Sequence, residues 1–121
     1  MNTKFAKQDL VNAKAKHYFF KAKMRAYLEG STEVSEEILV DHNACGLGKW
    51  INEIGKNRYG KYPELEELDI IHQNIHAVAK DIIISKKNGN MEAAEKHMFK
   101  VNEIGIKLIK KIEELEIRLG D

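Results

Sequence analysis

Four amphipathic helices joined by short turns are predicted for this 121-residue chain, an all-α fold read as an antiparallel four-helix bundle with its second helix bent or interrupted near Cys45. Three observations carry the prediction. Apolar residues recur at three- and four-residue steps through most of the chain, and no stretch alternates as a strand does. The single proline stands at position 63, where it suits the first position of a helix. Turn-forming residues gather at three places and divide the periodic run into four segments.

The first helix covers residues 3–28, with Leu10, Ala13, His17, Phe20, Met24 and Leu28 along one stripe. Glu29, Gly30, Ser31 and Thr32 form its stop and turn. Ser35 is a candidate N-cap, and Glu36 and Glu37 follow as first-turn acids. The second helix runs over roughly 36–54, and Gly46 and Gly48 are the residues expected to bend or interrupt it. The stretch GKNRYGKYP, residues 55–63, reads as a loop. Pro63 opens the third helix, with Glu64, Glu66 and Glu67 in its first turn, and the helix reaches about Lys87. Residues 88–90 are a turn. The fourth helix then carries Met91, Ala94, Met98, Val101, Gly105, Leu108, Ile112, Leu115 and Leu119 as a heptad seam. The whole of residues 1–121 reads as one domain.

Composition narrows the function. Apolar residues make up 43% of the chain, enough for a core, and charged residues reach 32%, as in helices with solvated outer faces. A formal net charge of +1 gives no electrostatic reason to expect nucleic acid. No apolar run approaches the roughly 20 residues of a membrane span. The first helix is basic through Lys4, Lys7, Lys14, Lys16, Lys21, Lys23 and Arg25 against Asp9. That reads as a solvated face balanced by the acidic third helix and by Glu113, Glu114 and Glu116. One cysteine forms no internal disulfide, and a reducing cytoplasm suits it.

The histidines carry the chemistry. His72 and His76 fall within about 40° of one another on the third helix, on the face that holds Leu65, Leu68, Ala79 and Ile83. His17 sits in the middle of the first helix's apolar stripe. A buried neutral ring has a donor and an acceptor that both need partners. A metal ion satisfies one nitrogen of each ring. Three imidazoles and the Cys45 thiolate make a four-coordinate set suited to zinc. His42, three residues before Cys45, is a weaker candidate, and His97 is expected at the surface. Trp50, Leu47, Ile51 and Ile54 anchor the cysteine segment in the core.

These residues support a family resemblance. The stretch CGLGKW resembles the Cys-x-Leu-Gly-x-Trp signature of the chemoreceptor zinc-binding domain family. KHYFF around His17 is similar to its first-helix motif, and LDIIHQNIH to its HxxxH motif. The order His, Cys, His, His matches over nearly the whole chain. The resemblance implies a zinc site on His17, Cys45, His72 and His76. It also implies a cytoplasmic bacterial sensory domain and a homodimer. Such a domain senses zinc, or oxidants that attack the zinc-bound thiolate, and signals to a chemoreceptor or diguanylate cyclase output module, in cis or in trans. An enzyme is not expected. The fourth helix carries Ile104, Ile106 and Ile109 beside its seam, apolar surface that a dimer can use.

Two rival readings share the fold. A hemerythrin-like di-iron oxygen carrier needs bridging carboxylates, yet Lys21 and Gly46 stand four residues after His17 and His42. A catalytic zinc keeps a coordination position open for water, and the set here looks saturated.

Overall fold

The computed structural model describes the backbone of residues 3–120 and the side chains of residues 7–119. Residues 1–2 and 121, and the side chain of Lys4, lie outside the described residues. In chain order the elements are α1 (Thr3–Leu28), α2 (Glu36–Val40), α3 (Gly46–Trp50), a π-helical stretch (Ile51–Gly55), α4 (Lys56–Tyr59), α5 (Pro63–Lys87) and α6 (Met91–Gly120). Among the described residues there is no strand.

The long helices end where their sequences say they should. Gly30, at φ +103°, takes the left-handed turn after α1, and the Ser31 N–H donates back to the Ala26 carbonyl at 3.0 Å. Pro63 occupies the first turn of α5 with Glu64 and Glu66. Asn90 caps α6, its side-chain oxygen accepting from the Ala93 N–H at 3.1 Å. Ser35 holds the N-cap position of α2 with extended backbone, but its hydroxyl makes no capping bond.

The segment between α1 and α5 departs from expectation in part. The helix over residues 36–54 is interrupted beside Cys45, as expected, but the break at residues 41–45 comes just before the glycine pair rather than at it. Asp41 makes the break. Its backbone is extended, its carboxylate accepts from the Asn43 N–H at 2.9 Å, and its carbonyl accepts from the N–H groups of Ala44 and Cys45. Residues 55–63 are not a continuous loop. Helix continues through the π stretch and α4 to Tyr59, leaving only residues 60–62 as a turn. Gly55 closes the π stretch where a Cβ would lie 3.1 Å from Leu65 and 3.2 Å from the Trp50 ring, so its lack of a side chain lets this stretch lie close against α5.

Ion pairs give the directions of the long helices. Glu64 meets Arg118 at 2.8 Å and Glu67 meets Lys111 at 2.5 Å, so the start of α5 lies beside the end of α6. Lys14 meets Glu116 at 2.5 Å and Arg25 meets Glu95 at 2.8 Å, so α1 and α6 also run oppositely. Between them the stripes interlock. Leu10, Phe20, Met24, Leu68, Ile75, Met98, Leu108, Ile112 and Leu115 are all buried. Met91 is 40% exposed, so the α6 seam begins at Ala94. Of Ile104, Ile106 and Ile109, only Ile106 is exposed; the other two pack partly against the core.

Candidate metal centre

The centre begins on α5. His72 and His76 are one turn apart on its buried face, each no more than 2% exposed. Their Nε2 atoms lie 3.1 Å from one another. The Nδ1–H of His76 donates to the Leu39 carbonyl at 2.6 Å. That carbonyl is available for a local reason. In an unbroken helix it would accept from the Asn43 N–H, but Asn43 donates to the Asp41 carboxylate instead. The turn at Asp41 thus frees the acceptor that orients His76.

A carbonyl only accepts, so the proton of neutral His76 resides on Nδ1 and its Nε2 presents a lone pair. His72 Nδ1 is buried with no hydrogen-bond partner. If His72 carries its proton on Nε2, it can donate to His76, and Nδ1 is left as an orphaned acceptor. If it carries the proton on Nδ1, two lone pairs face one another across 3.1 Å, an arrangement a cation relieves. Cys45 completes a buried trio. Its sulfur and the ring nitrogens of His72 and His76 all lie within 4.8 Å of one another. Tetrahedral zinc with Zn–N bonds of about 2.0–2.1 Å separates two ligand nitrogens by about 3.3 Å, close to the spacing found here. The His76–Leu39 bond is the outer hydrogen bond that metal-ligating histidines ordinarily make. The donor set fits zinc.

Electrostatics favour the ligating form of the rings. Burial, reinforced by neighbouring His76, pushes His72 down to about 3. Burial pushes His76 down to about 4, against the pull of its bond to Leu39. Burial, then nearby Lys21, takes His17 down to about 4. All three are neutral near pH 7.

Cys45 is placed by the break. It sits with extended backbone before α3, and its carbonyl accepts from the Lys49 N–H at 2.9 Å. Gly48 lets this segment close on α5. A Cβ there would lie 1.6 Å from the His42 carbonyl oxygen and 3.2 Å from the His72 ring. The segment is clamped at its far end. Asp9 of α1 accepts from the Tyr59 hydroxyl at 2.6 Å and from Arg58 at 2.7 Å, and Tyr59 stacks on Trp50 at 6.3 Å between ring centroids. Trp50, Leu47 and Ile51 are buried as anchors, with Ile54 partly buried beside them.

Of the four expected ligands, the structure brings three together. His17 is buried but stands outside the trio. Its ring lies against α6, where a Cβ on Gly105 would come within 2.9 Å of its Nε2. Phe20 packs near both His76, at 4.7 Å, and His17, at 6.5 Å between ring centroids. His42 is half-buried and edge-on to His72 at 6.3 Å, outside the trio. His97 is half-buried on α6, not at the open surface as expected. Among the described residues no carboxylate joins the group. Sequence reasoning missed Leu39, the Asp9 clamp and the notch at Gly105. A glycine inside an apolar helix seam was the one available signal for the last.

The family model of the chemoreceptor zinc-binding domain matches residues 17–83. This span opens at His17, contains Cys45, His72 and His76, and ends within α5. No curated protein and no solved structure matches the chain. A match over more than half of the sequence, centred on the segment that builds the trio, establishes that the chain belongs to the chemoreceptor zinc-binding domain family.

Proposed function

We propose that residues 1–121 form one zinc-binding sensory domain of the cytoplasm. In this reading the chain is an antiparallel four-helix bundle in which residues 36–59 take the place of the second helix. Zinc is held by Cys45, His72 and His76, with His17 as the fourth ligand. The convergence of the His72 and His76 Nε2 atoms with buried Cys45 carries the proposal. When bound, zinc supplies a positive charge that keeps Cys45 a thiolate and a bond network that spans three parts of the chain. The chain's own residues do the rest. His76 is held in tautomer and orientation by Leu39, and Gly48 brings Cys45 to the rings.

Cys45 is the ligand open to chemical control. A surface cavity of about 190 Å³, lined by Lys16, Phe19, Phe20, Lys23 and Ile38, reaches it. An external two-electron oxidant such as a peroxide, which passes one oxygen atom to the sulfur and is itself reduced to water or an alcohol, converts the thiolate to a sulfenic acid and weakens it as a ligand. Loss of a ligand frees the α3–α4 segment from α5, and this change in packing is the signal. It passes to a chemoreceptor or diguanylate cyclase module, in cis or in trans. A second copy is the natural partner of the stripe on α6 formed by Phe99, Ile106 and Ile117, which are 67%, 68% and 71% exposed on one side of the helix.

Elemental analysis of protein purified without a tag or added metal tests the reading. About one zinc per chain is expected, lowered in Cys45→Ser and in His76→Ala. Folded protein that contains no zinc and takes up none on titration would overturn it. Two irons per chain would favour the oxygen carrier instead.

A further inference from the structure

His76 and His17 are both buried, but they are held differently. His76 is pinned by its bond to the Leu39 carbonyl. No hydrogen bond to another described residue holds the His17 ring, which lies in a notch of α6. The notch exists because residue 105 has no side chain. A Cβ there would stand 2.9 Å from His17 Nε2 and 3.1 Å from its Cε1, so the ring would have to shift to make room for it. Behind the ring a surface groove of about 290 Å³ runs between α1 and α6, with His17 and Gly105 in its lining beside Tyr18, Ile106 and Ile109. The same ring that is missing from the trio therefore forms part of the wall of an open groove.

We propose that His17 is a movable fourth ligand whose resting place is the notch at Gly105. Its ring leaves the notch to complete the metal site, so that occupancy of the site reshapes the α1–α6 groove. The inference rests on the zinc reading above and adds the route by which the site reports to the surface. The physical argument is competition. A ligand that must leave one favourable position to bind lowers the apparent affinity in proportion to the time it spends there. Gly105 is thus a positioning residue, because it sets how well the resting place competes.

The test is a zinc titration of the full chain followed by backbone and imidazole NMR, on the wild type and on Gly105→Ala and His17→Ala. In the wild type, zinc is expected to shift the His17 ring nitrogens together with the amides of Tyr18, Ile106 and Ile109. Gly105→Ala fills the notch, so it should bind zinc several-fold more tightly and lose most of the zinc-dependent shift at Ile106 and Ile109. His17→Ala should retain zinc on the remaining three ligands, with affinity at least about tenfold weaker, and show no groove response. Zinc bound in the wild type with His17 and the groove unmoved overturns the movable ligand while leaving the zinc reading intact. So does a folded Gly105→Ala whose affinity is unchanged or weaker. If Gly105→Ala does not fold, the wild-type and His17→Ala titrations still decide. No zinc uptake by the wild type overturns both readings.

Discussion

At the residue scale, the orphaned Nδ1 of His72 and the anchored Nδ1 of His76 define the centre. A buried polar atom without a partner costs about 1–3 kcal/mol, and His72 Nδ1 is such an atom. The three buried rings also make the metal-free protein sensitive to acid. Each is neutral in the folded state, with its value lowered from 6.5 to about 3 or 4. The unfolded chain binds protons on these rings as pH falls below about 6.5, while the folded chain does not. Their contribution is therefore fully present above pH 6.5 and falls by about 1.4 kcal/mol per pH unit per ring as pH drops towards 4. Urea midpoints of chelator-treated protein at pH 7.5 and pH 5 should show this loss, and it should shrink when His72 is replaced by Leu. Cys45→Ser should weaken zinc binding at least about tenfold and abolish the sulfur-to-metal charge-transfer band of the cobalt-substituted protein. Titration by absorbance reads both.

At the element scale, the segment from α2 to α4 is the part built for the site. Its turn depends on Asp41, its approach to α5 on Gly48, and its attachment to α1 on Asp9. Gly48→Ala places a methyl group 1.6 Å from the His42 carbonyl oxygen. The break must then open, at a cost of about 3 kcal/mol or more, and zinc binding should fail with it while α5 and α6 remain helical by circular dichroism. Asp9→Ala removes the acceptor of the buried Tyr59 hydroxyl. Calorimetry should show a loss of about 1–3 kcal/mol, with the zinc stoichiometry unchanged. The same segment marks the limit of pattern reading. α1, α5 and α6 are long and strongly periodic, and their expected bounds agree with those observed to within a residue or two. From residue 36 to residue 62 the helical period persists in the sequence. There one carboxylate captures the Asn43 N–H, and helix runs on through residues 55–59, whose residue types read as a loop.

At the scale of the whole molecule, the centre joins α5 to the segment that packs on α1. Zinc binding in small peptides yields apparent energies of about 10–16 kcal/mol, comparable to the total stability of a domain this size. Zinc removal should lower the melting temperature by many degrees, and hydrogen exchange should quicken first in residues 36–59. The α6 stripe gives a separate prediction. Phe99→Asp with Ile106→Asp should shift a homodimer to monomer in sedimentation without reducing zinc content, since neither residue touches the trio.

The helical class, the apolar stripes of the long helices, and the burial of His17, His72 and His76 were legible in the sequence. Those follow from periodicity, because which side of a helix a residue occupies depends only on its spacing from its neighbours. Cys45 meets His72 and His76 as the ligand chemistry and the resemblance led one to expect, but it took the folded chain to show that His17 stands apart against Gly105 and that a broken helix frees Leu39 to orient His76. Those facts depend on where separate segments meet in space. Such meetings are settled by single hydrogen bonds and missing methyl groups that leave no period in the sequence.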